Sequence, residues 1–379
     1  MKIAIASETN KNETRVAAVP ESVRKFIALG AEVSVQSGVG KGSQIPDEMY
    51  RDVGATVAKS AESALKDADI VLSVRRPGAD TLAKMKQGAV LVGMLEPYDD
   101  PATLKDLAKS GVVAFTMELL PRITRAQTMD VLSSQANLAG YRAVIDAAAM
   151  FSRALPMMMT AAGTVPAARA FVMGAGVAGL QAIATARRLG AVVTATDVRP
   201  AAKEQVESLG GKFVAVEDEE FREAETAGGY AKEMSKEYQA KQAELIAEHI
   251  AKQDMVITTA LIPGRPAPRL ITKAMLEKMK PGSVIVDLAS ERGGNVEGSK
   301  SDQVVTHKGV QVFGYSNAAG RIAASASGLY ARNLYSFVET LIDKEAKSLN
   351  INWEDELVTS TALTRDGKVV HPAFSEQGE

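Results

Sequence analysis

The sequence predicts an α/β chain of two doubly wound units joined by long helices. Three observations carry that prediction. Short apolar runs alternate with amphipathic stretches along both halves, as βαβ units on a parallel sheet require. A glycine turn, Gly174-Ala175-Gly176-Val177-Ala178-Gly179, stands between one such run and a helical stretch. The length, 379 residues, suits two domains or more.

In the first block the strand candidates are 2–6, 32–36, 70–74, 90–95 and 112–115. Helical patterns lie between them at 21–29, 60–66 and 101–110. A long helix is expected from about Gln127 to Ala154, linking the two units. In the second block the strands fall near 170–173, 192–196, 212–216, 255–259, 283–287 and 310–313. The segment after Gly320 reads as helix to about Asp343. Near the end, Leu357–Leu363 reads as a strand that meets Val369-Val370 across Arg365-Asp366-Gly367-Lys368, where Asp-Gly signals a hairpin. The tail is expected to return to the first unit, because a long helix leads it out of the second. The expected domains are 1–133 plus 325–379, and 134–324. No internal sequence repeat is visible.

The glycine turn has a specific chemistry. Gly174 lets the chain turn, Gly176 lets backbone approach a pyrophosphate, and Gly179 lets the helix pack on the strand. The helix N-terminus offers free N–H groups and the positive end of its dipole to phosphates. After the second strand stands Asp197, placed to accept both ribose hydroxyls of an adenosine. Strand, turn, helix, strand and acid fall in order, so the second unit reads as a Rossmann-like dinucleotide site. The plainer alternative is a structural turn, with Asp197 capping a helix that starts near Pro200.

Composition narrows the classes. Hydrophobic residues make up 46% and charged residues 24%, which is ordinary globular material. A net charge of −2 supplies no electrostatics for nucleic acid. With no cysteine there is no thiolate nucleophile and no disulfide. The three histidines, His249, His307 and His371, have no metal-ligand spacing. No apolar run has membrane-span length free of polar breaks, and the start reads as a strand, not a signal peptide.

Two stretches stand out. On a continuous helix Gln127, Asp130, Ser133, Ser134 and Asn137 would share one arc, with Met129, Leu132, Ala136 and Ala139 opposite. Amides, hydroxyls and one carboxylate suit a carboxamide or a positioned water better than a solvated face would. Arg122 and Arg125 precede them and suit a pyrophosphate or a partner's acids. A capped polar face between domains is the alternative. The second stretch is an insertion between Val216 and Met255. Its Gly228-Gly229 pair leaves Tyr230 at a flexible tip, and a charged helix, Lys236 to His249, follows. It reads either as a mobile lid near 220–240 or as a solvated excursion.

A hydroxy-acid or amino-acid dehydrogenase moves a proton as well as a hydride. It needs a general acid or base, most often His or Lys. The first unit has no histidine, and Arg75-Arg76 follow its third expected strand. Arginine does not deprotonate in proteins. Hydride exchange between two nicotinamides needs only close approach and exclusion of water, so the residues favour it.

The chain resembles the soluble NAD(H)-binding alpha subunit, domain I, of proton-translocating NAD(P) transhydrogenase, within the alanine dehydrogenase/transhydrogenase superfamily. The resemblance rests on Pro121-Arg122-Ile123-Thr124-Arg125-Ala126-Gln127 through Tyr141-Arg142-Ala143-Val144, on Pro156–Thr164, on Thr226-Ala227-Gly228-Gly229-Tyr230-Ala231, and on Ile257–Gly264. It implies two Rossmann-like domains flanking a cleft, with NAD(H) on the second. Arg122, Ile123, Thr124, Arg125, Gln127, Asp130 and Ser133 would surround the nicotinamide and its phosphates. Gly174, Gly176, Val177, Gly179, Asp197, Val198, Arg199, Gly229, Gln242 and Leu261 would contact the rest of the cofactor, and Tyr230 would ride on a mobile loop. It also implies a homodimer that is cytoplasmic and peripheral to the inner membrane. The expected partners are an NADP(H)-binding subunit and a membrane-spanning proton-channel subunit. The chain ends soon after Phe374 without a membrane segment, so those components are expected on other polypeptides. Related alanine dehydrogenases carry a lysine where Arg75 stands and a histidine where Glu96 stands. Both are missing here, which counts against that activity; an alanine-type dehydrogenase is the alternative reading, and an NAD-sensing module a third.

Overall fold

A computed structural model describes residues 1–223 and 234–375. The chain divides into two compact units, 1–135 with 319–379, and 136–318.

In the first unit the strands are β1 (Lys2–Ile5), β2 (Glu32–Gln36), β3 (Thr56–Ala58), β4 (Ile70–Leu72), β5 (Val90–Gly93) and β6 (Val113–Thr116). They pair in parallel in the order β3-β2-β1-β4-β5-β6. This is the doubly wound order, with its switch point between β1 and β4. Both faces of the sheet are covered, so the central strands are apolar on each side. Ile3, Ile5, Ile70, Leu72, Val90 and Val92 pack with Tyr330, Leu334 and Phe337 of the helix Ala323–Val338. The alternate residues, Ala4, Val71, Leu91 and Ala114, belong to the opposite core layer.

The C-terminal tail returns to this sheet. Ala362–Arg365 pairs antiparallel with β6 and turns back into Lys368–Val369. Asp366 and Gly367 sit at φ 51° and 74°, the backbone that a two-residue hairpin turn demands. The expected strand over Leu357–Leu363 is corrected. Glu356–Thr361 is helical, and the chain becomes extended only at Ala362. Asp355 starts that helix by accepting the Leu357 amide at 2.8 Å, and Leu357, Val358 and Thr361 then bury one face.

The second unit opens with a small hairpin, β7 (Met158–Thr160) and β8 (Gly163–Val165). Its main strands are β9 (Arg169–Met173), β10 (Val192–Thr196), β11 (Lys212–Phe213), β12 (Met255–Thr258), β13 (Val284–Asp287), β14 (Val304–His307) and β15 (Val310–Gly314). The order is β11-β10-β9-β12-β13-β15-β14, parallel except for the β14 edge. The same winding recurs in both units although no sequence repeat betrays it. Strands β3, β7, β8 and β14 are not anticipated from sequence. All are short, and none is a buried apolar run.

The expected helix from Gln127 to Ala154 is also corrected. Thr124–Met129 forms tight 3₁₀ turns, Asp130 breaks the chain at ψ 91°, and the helix proper is Val131–Met150. Asp130 causes the break. Its carboxylate accepts the Ser133 amide at 2.8 Å and the Ser133 hydroxyl at 2.6 Å, as an N-cap does.

Candidate functional site

The glycine turn joins β9 to the helix Val177–Arg188. Its three glycines do different work. Gly174 sits at φ 102°, and its carbonyl accepts the Thr259 hydroxyl at 3.1 Å. A Cβ on Gly179 would stand 1.8 Å from the Gly174 carbonyl oxygen, so this glycine closes the helix onto the turn. A Cβ on Gly176 would meet nothing within 4 Å. Gly176 has ordinary extended backbone, φ −75° and ψ −168°, so neither strain nor packing accounts for it. Open space over the helix start is where an anion would approach. As the N-cap residue, Gly176 brings no side chain to cap the first-turn amides, and that turn carries no acidic residue.

Asp197 ends the second strand and folds back onto the turn. Its carboxylate accepts the Ala175 amide at 2.7 Å and the Arg199 amide at 2.9 Å. The Arg199 guanidinium donates to it at 2.9 and 3.1 Å. The alternative role, capping the next helix, is not what the geometry gives. That helix is Ala202–Ser208 with Ala201 as its cap residue. Val177, Val198 and Leu261 are exposed around this region. Gln242 donates to Thr196 Oγ1 at 3.3 Å and accepts the Val216 amide at 2.8 Å, tying the exits of β10 and β11 together. Gly229 and Tyr230 lie outside the described residues.

Three supporting residues escape sequence reasoning. Asn295, fully buried, accepts the Ala260 amide at 3.1 Å and donates to the carbonyls of Ala260 and Pro268 at 2.9 Å each. It holds the backbone that presents Leu261. Asp287 accepts the amides of Ala289 and Val296, which fixes the loop beyond β13. At Gly140 a Cβ would lie 2.0 Å from the Ala178 carbonyl oxygen, so only glycine lets the helix Val131–Met150 reach the start of the next one. Asn295 and Gly140 act through backbone far away in sequence, whereas Asp287 acts within nine residues of itself, and only Gly140 leaves a trace, as a glycine in a helical run.

The first unit carries the other predicted residues. Ile123 packs against its core, and Arg122, Thr124, Arg125 and Gln127 are exposed. Arg125 forks onto Asp355, one arm at 2.9 Å. The single polar arc is corrected. The break at Asp130 spoils the helical spacing, so Met129 is buried while Leu132 is half exposed. Ser134 turns inward and donates to Asn333 Oδ1 at 2.7 Å.

Beside this stretch lies a closed ion-pair network. Arg15 donates to both Glu13 oxygens at 2.7 Å and to Gln135 at 2.9 Å. Arg75 bridges Glu13 and Glu96 at 3.0 Å each. The Arg15 pairing, opposed by burial, holds the Glu13 carboxyl down at about 2. Glu96 stands at φ 53° because Glu118 accepts the amides of Leu95 and Glu96. Burial pushes Glu8 up to about 7, the range of a general acid or base. Yet Glu8 is locked, accepting the amides of Val74 and Arg75, and the cavity it lines measures about 10 Å³, room for one water. Neither the arginines nor Glu8 is poised to take a substrate proton.

Comparison with known proteins agrees with this anatomy. The alanine dehydrogenase/PNT N-terminal domain family matches residues 4–139, and the alanine dehydrogenase/PNT C-terminal domain family matches 143–372. The chain belongs to the alanine dehydrogenase/PNT family. It is 56% identical over 383 aligned positions to an NAD(P) transhydrogenase subunit alpha chain of Rhodospirillum rubrum, covering 100% of both chains. A crystal structure of transhydrogenase from Sinorhizobium meliloti superposes with a TM-score of 0.89 at 60% identity, covering 98% of this chain and 100% of that one. An L-alanine dehydrogenase structure shares the fold, with a TM-score of 0.82 at 24% identity over 99% of this chain and 98% of the other. Among the described residues no helix is long and apolar enough to cross a membrane.

Proposed function

We propose that this chain is the NAD(H)-binding component of an NAD(P) transhydrogenase, passing a hydride between NADH and NADP⁺ bound on a partner subunit. The observation that carries the reading is Gly176. It is an unobstructed glycine in an otherwise tightly braced turn, and Asp197 ends the neighbouring strand. The pyrophosphate would lie over the Gly176–Val177 amides, and Asp197 with Arg199 would meet the adenosine ribose. Val177, Val198 and Leu261 would line the adenosine side. Arg122, Gln127, Asp130 and Ser133 of the first unit are assigned to the nicotinamide end. Asp130 spends both oxygens on Ser133, which fixes the pair as one rigid acceptor.

Transfer between two nicotinamides needs no proton shuttle. That matches a first unit in which Arg15, Arg75, Glu13 and Glu96 are paired with one another. The alanine-type alternative needs an acid/base that Arg75 and Glu96 do not supply.

The proposed assembly is a homodimer bound at the cytoplasmic face of the inner membrane through its partner subunits. The hairpin β7–β8 supports the dimer. Met157, Met158 and Met159 are all exposed there, Met159 by 80%, which is an adaptable apolar surface. The deciding experiment mixes the protein with an NADP(H)-loaded partner and an NAD analogue and follows hydride exchange. Exchange without turnover of pyruvate plus ammonia supports the proposal. Pyruvate turnover without exchange overturns it.

A further inference from the structure

The second unit has another groove, at the opposite end of the same strands. Arg169, Val192 and Lys212 open β9, β10 and β11, whereas the glycine turn follows the far end of β9. Between these strand starts and the end of the helix Lys236–Ile250 lies a groove of about 570 Å³. That volume holds a small ligand. The cause is the sheet edge. Strand β11 is two residues long, so the helix overhangs a face that the edge strand does not fill.

The lining is chemically lopsided. Arg169, Lys212 and Lys252 all face the groove and are exposed, and among the described residues none of them forms an ion pair. The acidic lining residue, Glu217, is already paired with Lys203 at 2.5 Å. Nearby Asp254 is taken by Arg153, Lys280 and the Arg169 amide. Three cations with no ion-pair partner among the described residues therefore share one concavity with apolar walls from Val192 and Leu245. Cations of one sign gathered in a concavity raise the local concentration of anions.

His249 lies among them. Its ring stacks edge-on against Phe171 with centroids 4.8 Å apart. The Gln253 side-chain amide donates to Nε2 at 3.1 Å and to the His249 carbonyl at 2.9 Å, which leaves the ring proton on Nδ1. Thr194 Oγ1 also touches Nε2 at 2.8 Å. Burial, then Lys252, Lys212 and Arg169, hold the imidazole below its usual pKa. The same three cations thus converge on one side chain and favour its neutral form.

We propose that this groove is a second anion site, taking a small phosphate monoester with an apolar body. The three cations meet the phosphate, Val192 and Leu245 meet the body, and as the dianion neutralises the cations His249 takes up a proton on Nε2, which then donates to Thr194 Oγ1 in place of accepting from Gln253. It is separate from the dinucleotide turn.

The probe is phenyl phosphate, titrated into the protein with and without saturating NADH and followed by NMR of the His249, His307 and His371 rings. The expected result is a saturable shift of the His249 ring with a rise in its apparent pKa. Inorganic phosphate should bind more weakly and phenol not at all. R169A/K212A, and separately K252A, should weaken phenyl phosphate by about tenfold or more while NADH affinity is unchanged. No shift of His249 at about 10 mM probe overturns the proposal, since that bounds affinity below the millimolar scale. So does equal binding of phenol, or binding indifferent to the three cations. NADH affinity is measured independently, so failure of the dinucleotide reading would show as lost NADH binding with this titration intact.

Discussion

Replacing Gly176 and Gly179 by alanine separates a functional glycine from a structural one. At Gly179 the new methyl would stand 1.8 Å from the Gly174 carbonyl oxygen. Ordinary contact distances would require turn and helix to part by roughly 1.5 Å. Overpacking of that kind costs about 1–3 kcal/mol, or some 3–10 °C in melting temperature for a unit of this size. At Gly176 the methyl meets nothing, and φ −75° suits alanine. The stability change there should be about 1 kcal/mol or less, the cost of alanine as a poorer N-cap than glycine with no steric clash added. The methyl does, however, occupy the approach to the helix amides. NADH affinity should then fall at least about tenfold, equivalent to about 1.4 kcal/mol. Thermal melts and equilibrium NADH titration on both variants give the readout. If G176A binds NADH normally, the pyrophosphate does not lie over this turn. If G179A melts like wild type, the packing argument is wrong.

Gln127→Asn should slow hydride exchange by about tenfold with near-normal NADH affinity, because rate depends on ring placement within ~0.5 Å. Stopped-flow transfer at saturating NADH checks it, and an unchanged rate removes Gln127 from the site. Wild type should bind NADH far more tightly than NADPH, since Asp197 repels a 2′-phosphate, and Asp197→Asn should narrow that ratio by about tenfold. Parallel titrations decide it, and a ratio untouched by the change would show that Asp197 only braces the Ala175 amide. Glu8 titrates at about 7 in the fold, above its unfolded value of 4.5. The native state therefore holds the extra proton, and stability should decline as pH rises from about 5 to 8. Denaturant melts across that range should show the slope in wild type and its loss in Glu8→Gln.

The doubly wound class was legible because buried parallel strands are short apolar runs. β1, β4 and β5 announce themselves that way, and β2 by the alternation of Val33 and Val35 with polar residues. The dinucleotide turn was legible because its glycines, its strand and Asp197 lie within one stretch of chain. Local chemistry also wrote the Asp366-Gly367 hairpin. Where propensity met a capping carboxylate, the cap prevailed. Asp130 divided an expected continuous helix, and Asp355 turned an expected strand into helix. Tertiary contact alone decided the rest. Asn295 reaches back across 35 residues to Ala260, Gly140 meets Ala178 across 38, and Glu118 bends the chain at Glu96. Gly176 and Gly179 look alike as letters. They differ only in what surrounds them, because a missing Cβ matters when another atom claims its space. Periodicity and composition report a residue's neighbours along the chain. They carry no record of which distant carbonyl or guanidinium will stand beside it, and those contacts set the closed ion-pair network of the first unit and the cationic groove of the second.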